Sequence, residues 1–277
     1  MTAKAVLIGI NYIGTENELH GCINDIVHMK QFLQEDEFFG NSITKFEIRM
    51  LTDASNDQSL IPTKTNIINA FKWLVEGATD KSHLFLHYSG HGGAIPDYGP
   101  EADNNQDSTI CPLDFATSGQ IKDKDLRKIL VDPLPAGCKM NCIFDSCHSG
   151  TILDLKYNWV GHPKLPESYS RLVDKHPDSK ADVMVLSGCM DKQTSADAFE
   201  DNVAQGALTY AFLQTVKKCR GKSRVEMKCD TLLKAMHKFL ADKQYDQIPV
   251  ISCGRSSDLD QTFISILPES KPRWFGF

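Results

Sequence analysis

HLFLHYSGHGG, residues 83–93, and NCIFDSCHSG, residues 141–150, decide how this chain is read. Each is an apolar run of strand length that ends in a glycine-rich turn, with His91 in the first turn and Cys147 in the second. A thiol becomes a nucleophilic thiolate near neutral pH when a base stands beside it, and imidazole is the usual base. Glycines beside both groups let backbone N–H groups approach a carbonyl and hold its developing charge. A Cys and a His taken at random are more often a buried structural thiol and a loop imidazole. Their delivery into glycine-rich turns at the ends of two strands reverses that reading and points to Cys–His hydrolysis of peptide bonds.

Further strand-length apolar runs lie at 5–10 (AVLIGI), 46–51 (FEIRML), 183–188 (VMVLSG) and 248–252 (IPVIS). Several are apolar throughout, as in strands buried on both faces. Helical spacing of apolar residues falls between them, over Asn24–Gln34, Thr63–Glu76, Asp123–Leu130, Gly206–Lys218 and Thr231–Asp242. Alternating strands and helices predict an α/β fold with a mainly parallel sheet covered on both faces. Ligands then bind at the carboxyl ends of the strands, where His91 and Cys147 lie. Gly92–Gln106 reads as a long loop. Residues 155–182 read as a polar linker with no clean periodicity, and a loop of that length inside a domain tends to be functional.

The 277 residues, 41% hydrophobic and 24% charged, suit a globular protein with a sizeable core. A net charge of −6 argues against a broad nucleic-acid surface. Nine cysteines at irregular spacing point to free thiols in a reducing compartment. The opening apolar run, Ala5 to Ile10, is too short for a signal core or a membrane span. The expectation is a cytoplasmic monomer with no membrane or nucleic-acid partner.

The chain resembles the type I metacaspases, within the caspase-like cysteine peptidases, in a form without a Pro-rich N-terminal region. The matching pieces are GINYIGTENELHGCINDI (9–26), HYSGHGG (87–93), DSTICPLDF (107–115), IFDSCHSG (143–150), SGCMDKQTSADA (187–198) and IPVISCGRSSDLDQTF (248–263), in the family's order. The caspase signature QAC-R/Q/G-G is replaced by DSCHSG. The resemblance implies a caspase-haemoglobinase fold, with a p20-like part at 1–154, the linker at 155–182, a p10-like part of the same domain at 183–267 and a tail at 268–277. It implies a catalytic dyad of His91 and Cys147, with the Gly92 and Cys147 amides as oxyanion hole. It also implies protein or peptide substrates cut after Arg or Lys.

Asp145 precedes Cys147 by two residues, so along a strand it points to the same side. Asp25 stands where a helix begins, and by itself reads equally well as a first-turn acid favoured by the helix dipole. The resemblance assigns both, with Cys22 and Ser89, to a pocket for a basic side chain, where acids would also reject an acidic one. Asp107, Asp123 and Asp154 are calcium candidates by the same resemblance, since a hard cation wants several oxygen ligands. In calcium-dependent relatives another acid follows the one matching Asp123, and here that residue is Lys124. The expectation from the resemblance is a bound calcium that stimulates activity, with solvated loop acids as the alternative reading of the three. Arg171, Lys175 and Lys180 are candidate self-processing points in the linker, and Ser195 and Asp197 candidate cleft residues. The rival function is a catalytically silent scaffold that binds protein partners. An intact Cys, His and pocket acids argue against it.

Overall fold

The computed structural model describes residues 3–34, 46–96, 106–147, 149–162, 165–188, 197–200, 203–219, 225–245, 247–256 and 262–266. The chain opens with β1 (Ala3–Gly9), α1 (Cys22–Gln34), β2 (Glu47–Thr52), α2 (Lys64–Val75) and β3 (His83–Ser89). A small sheet follows, made of β4 (Gly92–Pro96), β5 (Gln106–Ile110) and β6 (Ile121–Lys122), with α3 (Phe115–Ser118) between the last two. Next come α4 (Asp123–Leu130), β7 (Lys139–Asp145), β8 (Tyr157–His162), β9 (Leu165–Val173) and β10 (Asp182–Ser187). The remainder holds β11 (Asp197–Glu200), β12 (Val203–Gly206), α5 (Ala207–Cys219), β13 (Val225–Lys228), α6 (Cys229–Asp242), β14 (Val250–Cys253) and β15 (Thr262–Ile266).

Eight strands form the central sheet, in the order β2-β1-β3-β7-β10-β14-β8-β9. The first five run parallel; β14, β8 and β9 each pair antiparallel with their neighbours. The apolar runs are continuous because alternate side chains serve two cores. On one face, Ala5, Leu7, Phe85, Ile143 and Met184 pack with α1, α5 and α6 through Ile26, Phe212 and Leu232. On the other, Val6, Ile8, Leu84, Leu86 and Phe144 pack with α2 and α4 through Phe71 and Leu126. Each such side chain taken fully from water contributes about 1.5–3 kcal/mol. The mainly parallel sheet with helices on both faces is the expected caspase-like α/β architecture. No helix of the described residues is long and apolar enough to cross a membrane.

Two segments read as loops contain strands. Gly92–Pro96 is β4, and Gln106 opens β5. Most of the expected linker is β8 and β9, which extend the sheet. Its alternation is short and hidden by polar flanks: Tyr157 is buried against the α5–α6 core and Trp159 packs beside it. Only 174–181 connects β9 to β10. The p10-like strand β10 lies next to β7, with β14 on its other side, so both expected parts share one sheet. The expected tail at 268–277 lies outside the described residues.

Candidate active site

The parallel register sets three strand ends side by side, with Gly9 opposite Ser89 and Ser89 opposite Asp145. His91 and Cys147 each follow two residues later, so their motifs meet beyond the sheet edge. The Gly90 N–H donates to the Asp145 carbonyl at 3.3 Å. A Cβ added to Gly92 would fall on the Cys147 carbonyl oxygen and lie 3.3 Å from the Cys147 amide nitrogen. Glycine at 92 is therefore required by a backbone crossing, which sets it against Cys147. Cys147 is half-buried.

His91 is held from three sides. Its Nε2 lies 2.8 Å from the carbonyl oxygen of Asn17. A carbonyl only accepts, so Nε2 carries the proton and Nδ1 is left to exchange one. Its ring lies 4.7 Å, centroid to centroid, from that of Tyr12. The His91 N–H donates to the Tyr12 hydroxyl at 3.0 Å, and its carbonyl accepts from the Tyr88 hydroxyl at 2.7 Å and the Cys111 N–H at 3.1 Å. Tyr12 donates in turn to the Cys111 carbonyl at 2.6 Å. Burial raises the pKa of both tyrosines, which keeps their hydroxyl protons in place. The sequence offered no side chain to orient His91. A main-chain carbonyl has no residue signature, and the tyrosines are apolar-run members by pattern alone.

The four pocket candidates come together. Asp25 and Cys22 lie in the first turn of α1, and Ser89 and Asp145 end β3 and β7. All four are buried. Asp25 accepts from the Ser89 hydroxyl at 2.7 Å and from the Gly206 N–H at 2.9 and 3.0 Å. Asp145 accepts from the Thr209 N–H and hydroxyl, each at 2.9 Å. A Cβ on Gly206 would lie 2.7 Å from Asp25 Oδ2 and closer still to Asp145 Oδ2. Two carboxylates thus converge on one glycine. The Thr209 hydroxyl gives its proton to Asp145 and lies 3.1 Å from His87 Nε2, which donates to it. Burial lowers the His87 pKa to about 3, so the ring is neutral. Gly206, Thr209 and His87 were missed in the sequence, because their part follows from a contact 60 to 180 residues away along the chain. Of the other cleft candidates, Ser195 lies outside the described residues and Asp197 opens β11.

The calcium candidates are not brought together as a cage. Asp107, with its side chain 6% exposed, has Oδ2 2.9 Å from Lys122 Nζ and Oδ1 3.0 Å from Lys124 Nζ. The first is an ion contact whose angle falls short of a hydrogen bond. Asp123 accepts from the backbone N–H groups of Ser108 at 2.6 Å and Lys124 at 2.7 Å. Burial pushes its pKa up to about 6. Asp154 lies at φ +48° with Oδ1 3.6 Å from His176 Nε2, and its carbonyl accepts from Arg127. Among the described residues no three of His, Cys, Asp and Glu are placed to hold a metal ion. The three acids as arranged do not fit calcium.

Of the processing candidates, Arg171 sits in β9 opposite Trp159, its guanidinium 4.6 Å from the Tyr157 ring and 5.8 Å from that of Trp159. Lys175 and Lys180 are exposed in the connection that follows. None of the eight described cysteines is paired in a disulfide.

A family model described as the metacaspase peptidase C14 domain matches residues 3–156. Metacaspase-1 of Scheffersomyces stipitis is 38% identical over 94% of this chain and 73% of its own length. Metacaspase-1 of Schizosaccharomyces pombe is 36% identical, covering 94% and 69%. Among solved structures, a Geobacter sulfurreducens protein matches with TM-score 0.65 at 22% identity, covering 97% of this chain and 100% of that one. The structure titled pro-sf-caspase-1 matches with TM-score 0.53 at 12% identity, covering 91% and 90%. The two structural matches speak to the fold alone.

Proposed function

The chain belongs to the metacaspase family of cysteine peptidases, and from that premise we propose that it is an endopeptidase cutting after Arg or Lys, with Cys147 as nucleophile and His91 as its base and acid. The observation that carries the specificity is the convergence of Asp25 and Asp145 on Gly206, beside the strand ends that deliver the two reactive groups. Two buried carboxylates repel one another, and a guanidinium or ammonium between them relieves that and completes their hydrogen bonding. An acidic side chain in the same place adds a third like charge.

In this proposal the Cys147 thiol passes its proton to His91 Nδ1, and the thiolate attacks the scissile carbonyl carbon. The amides of Gly92 and Cys147 hold the oxyanion. The C–N bond breaks as His91 returns the proton to the leaving amine, which leaves a thioester on Cys147. Water then attacks the thioester, giving its proton to His91, and the carboxylic acid departs as the thiol re-forms. Throughout, Nε2–H keeps its bond to the Asn17 carbonyl, which fixes the tautomer and the ring's orientation. We propose a monomer as the active unit. Self-processing is proposed at the exposed Lys175 or Lys180 rather than at Arg171, which is tied into a strand. No calcium step is included, since ammonium groups already meet both oxygens of Asp107.

Turnover of fluorogenic peptides that differ only at P1 tests the reading. Wild type should cleave Arg- and Lys-P1 peptides, spare an Asp-P1 peptide, and lose all turnover in Cys147→Ala. Faster cleavage of the Asp-P1 peptide would overturn the pocket assignment. Full activity in folded Cys147→Ala would overturn the nucleophile.

A further inference from the structure

We infer that Lys122 and Lys124 supply, from within the chain, the positive charge that calcium is expected to bring to Asp107, so that the peptidase is built to work without the metal. Asp107 stands at the start of β5, and its carboxylate is almost wholly out of water. A buried carboxylate needs a cation or several donors. Both its oxygens meet an ammonium nitrogen within 3.0 Å, one from the end of β6 and one from the first turn of α4.

Helix electrostatics make the same point independently. Lys122 is the N-cap of α4 and Lys124 lies in its first turn. The N-terminus of a helix carries partial positive charge, and cations there are disfavoured. A lysine in that turn gains nothing from its own helix; its counter-charge is Asp107, across the small sheet. The two lysines already offset charge on Asp107 and Asp123, the acids nearest them, which weakens the attraction for a divalent cation. The neighbouring acid is already partly committed, because Asp123 accepts the Ser108 N–H on one oxygen and the Lys124 N–H on the other. Asp154 is turned to His176.

The ion pairs also reach the reactive histidine. Gly92 of β4 pairs with Ile110 of β5, and the next residue, Cys111, donates its N–H to the His91 carbonyl. Thr109 and Ile110 pair with Lys122 and Ile121 of β6. Fixing Asp107 against Lys122 and Lys124 thus sets β5 against β6 and α4, and β5 holds the His91 turn. In this chain the fastening is permanent, where a metal would make it conditional.

Only the activity arm of the test rests on the peptidase reading. The metal alone is titrated into the Cys147→Ala protein, with thermal melting and titration calorimetry as readouts, and turnover of an Arg-P1 peptide is followed in wild type. Expected are no calorimetric binding at millimolar calcium, the same melting midpoint in calcium and in chelator, and turnover equal within about twofold. A calcium-induced rise in midpoint of about 4 °C or more, or a several-fold rise in turnover, overturns the inference. Lys124→Asp and Lys124→Gln, both in the Cys147→Ala background, complete it. Both should melt lower in chelator, and only Lys124→Asp should recover when calcium is added. If Lys124→Gln melts as its parent does, Lys124 is not what holds Asp107. Should wild type cleave no Arg- or Lys-P1 peptide while the melting pattern holds, the substrate proposal fails and this one stands.

Discussion

Gly92 and His87 show how a single position carries weight in this site. An alanine at 92 places its Cβ on the Cys147 carbonyl oxygen, so one of the two crossing backbones must move. A misplacement of about 1 Å at reacting groups costs on the order of a hundredfold in rate. Gly92→Ala should therefore lose roughly that much turnover on an Arg-P1 peptide while keeping the wild-type circular dichroism spectrum. His87 is buried and neutral with a pKa lowered to about 3, against the ordinary imidazole value of 6.5. Below the unfolded value the unfolded chain takes up a proton that the folded chain refuses. The stability that His87 contributes is thus fully present above about pH 6.5 and is lost as pH falls from there toward 3, by about 1.4 kcal/mol per unit. The melting midpoint of Cys147→Ala should fall more steeply between pH 6.5 and 4.5 than that of the same protein carrying His87→Asn. Equal slopes would show that His87 titrates freely.

Among the elements, β8 and β9 change the meaning of the segment between the two motif-bearing parts. As strands they bury Tyr157, seat Arg171 on aromatic rings and tie the bonds beside Arg171 into the β8–β9 pairing. The connection 174–181 keeps two exposed lysines outside the strands, where cleavage concentrates. Active wild-type enzyme should yield a small fragment that begins at His176 or Ala181 by N-terminal sequencing. Lys175→Ala with Lys180→Ala should stay a single chain, and Arg171→Ala should be cut as wild type is. A fragment beginning at Leu172 would show that β9 opens.

For the whole molecule, the specificity pocket is a meeting of distant parts: α1 gives Asp25, β7 gives Asp145, and the β12–α5 junction gives Gly206 and Thr209. Acids that share one bound cation act as a unit, and their effects do not add. Asp25→Asn and Asp145→Asn should each lower kcat/KM for an Arg-P1 peptide by tenfold or more, about 1.4 kcal/mol at the least. The double variant should lose clearly less than the product of the two. Fully multiplicative losses would place the acids in separate roles.

The sequence by itself determined the alternation of strands and helices and the strand ends where His91 and Cys147 sit, whereas the pocket positions Cys22, Asp25, Ser89 and Asp145 were implied only by family resemblance. The alternation and the strand ends are local: two-sided burial writes continuous apolar runs, helical spacing writes the covering helices, and glycine marks a turn whatever surrounds it. Tertiary structure alone decided the rest. It made strands of 92–96 and of most of the supposed linker, because β4, β8 and β9 owe their state to partners rather than to their own pattern. It gave His91 a main-chain carbonyl from Asn17 and gave Asp145 its support from Thr209, contacts 74 and 64 residues apart in the chain. It also set two ammonium groups on Asp107, where the order of residues shows only scattered acids and lysines. Charge depends on distance in space, and the spacing of letters along a chain records no such distance.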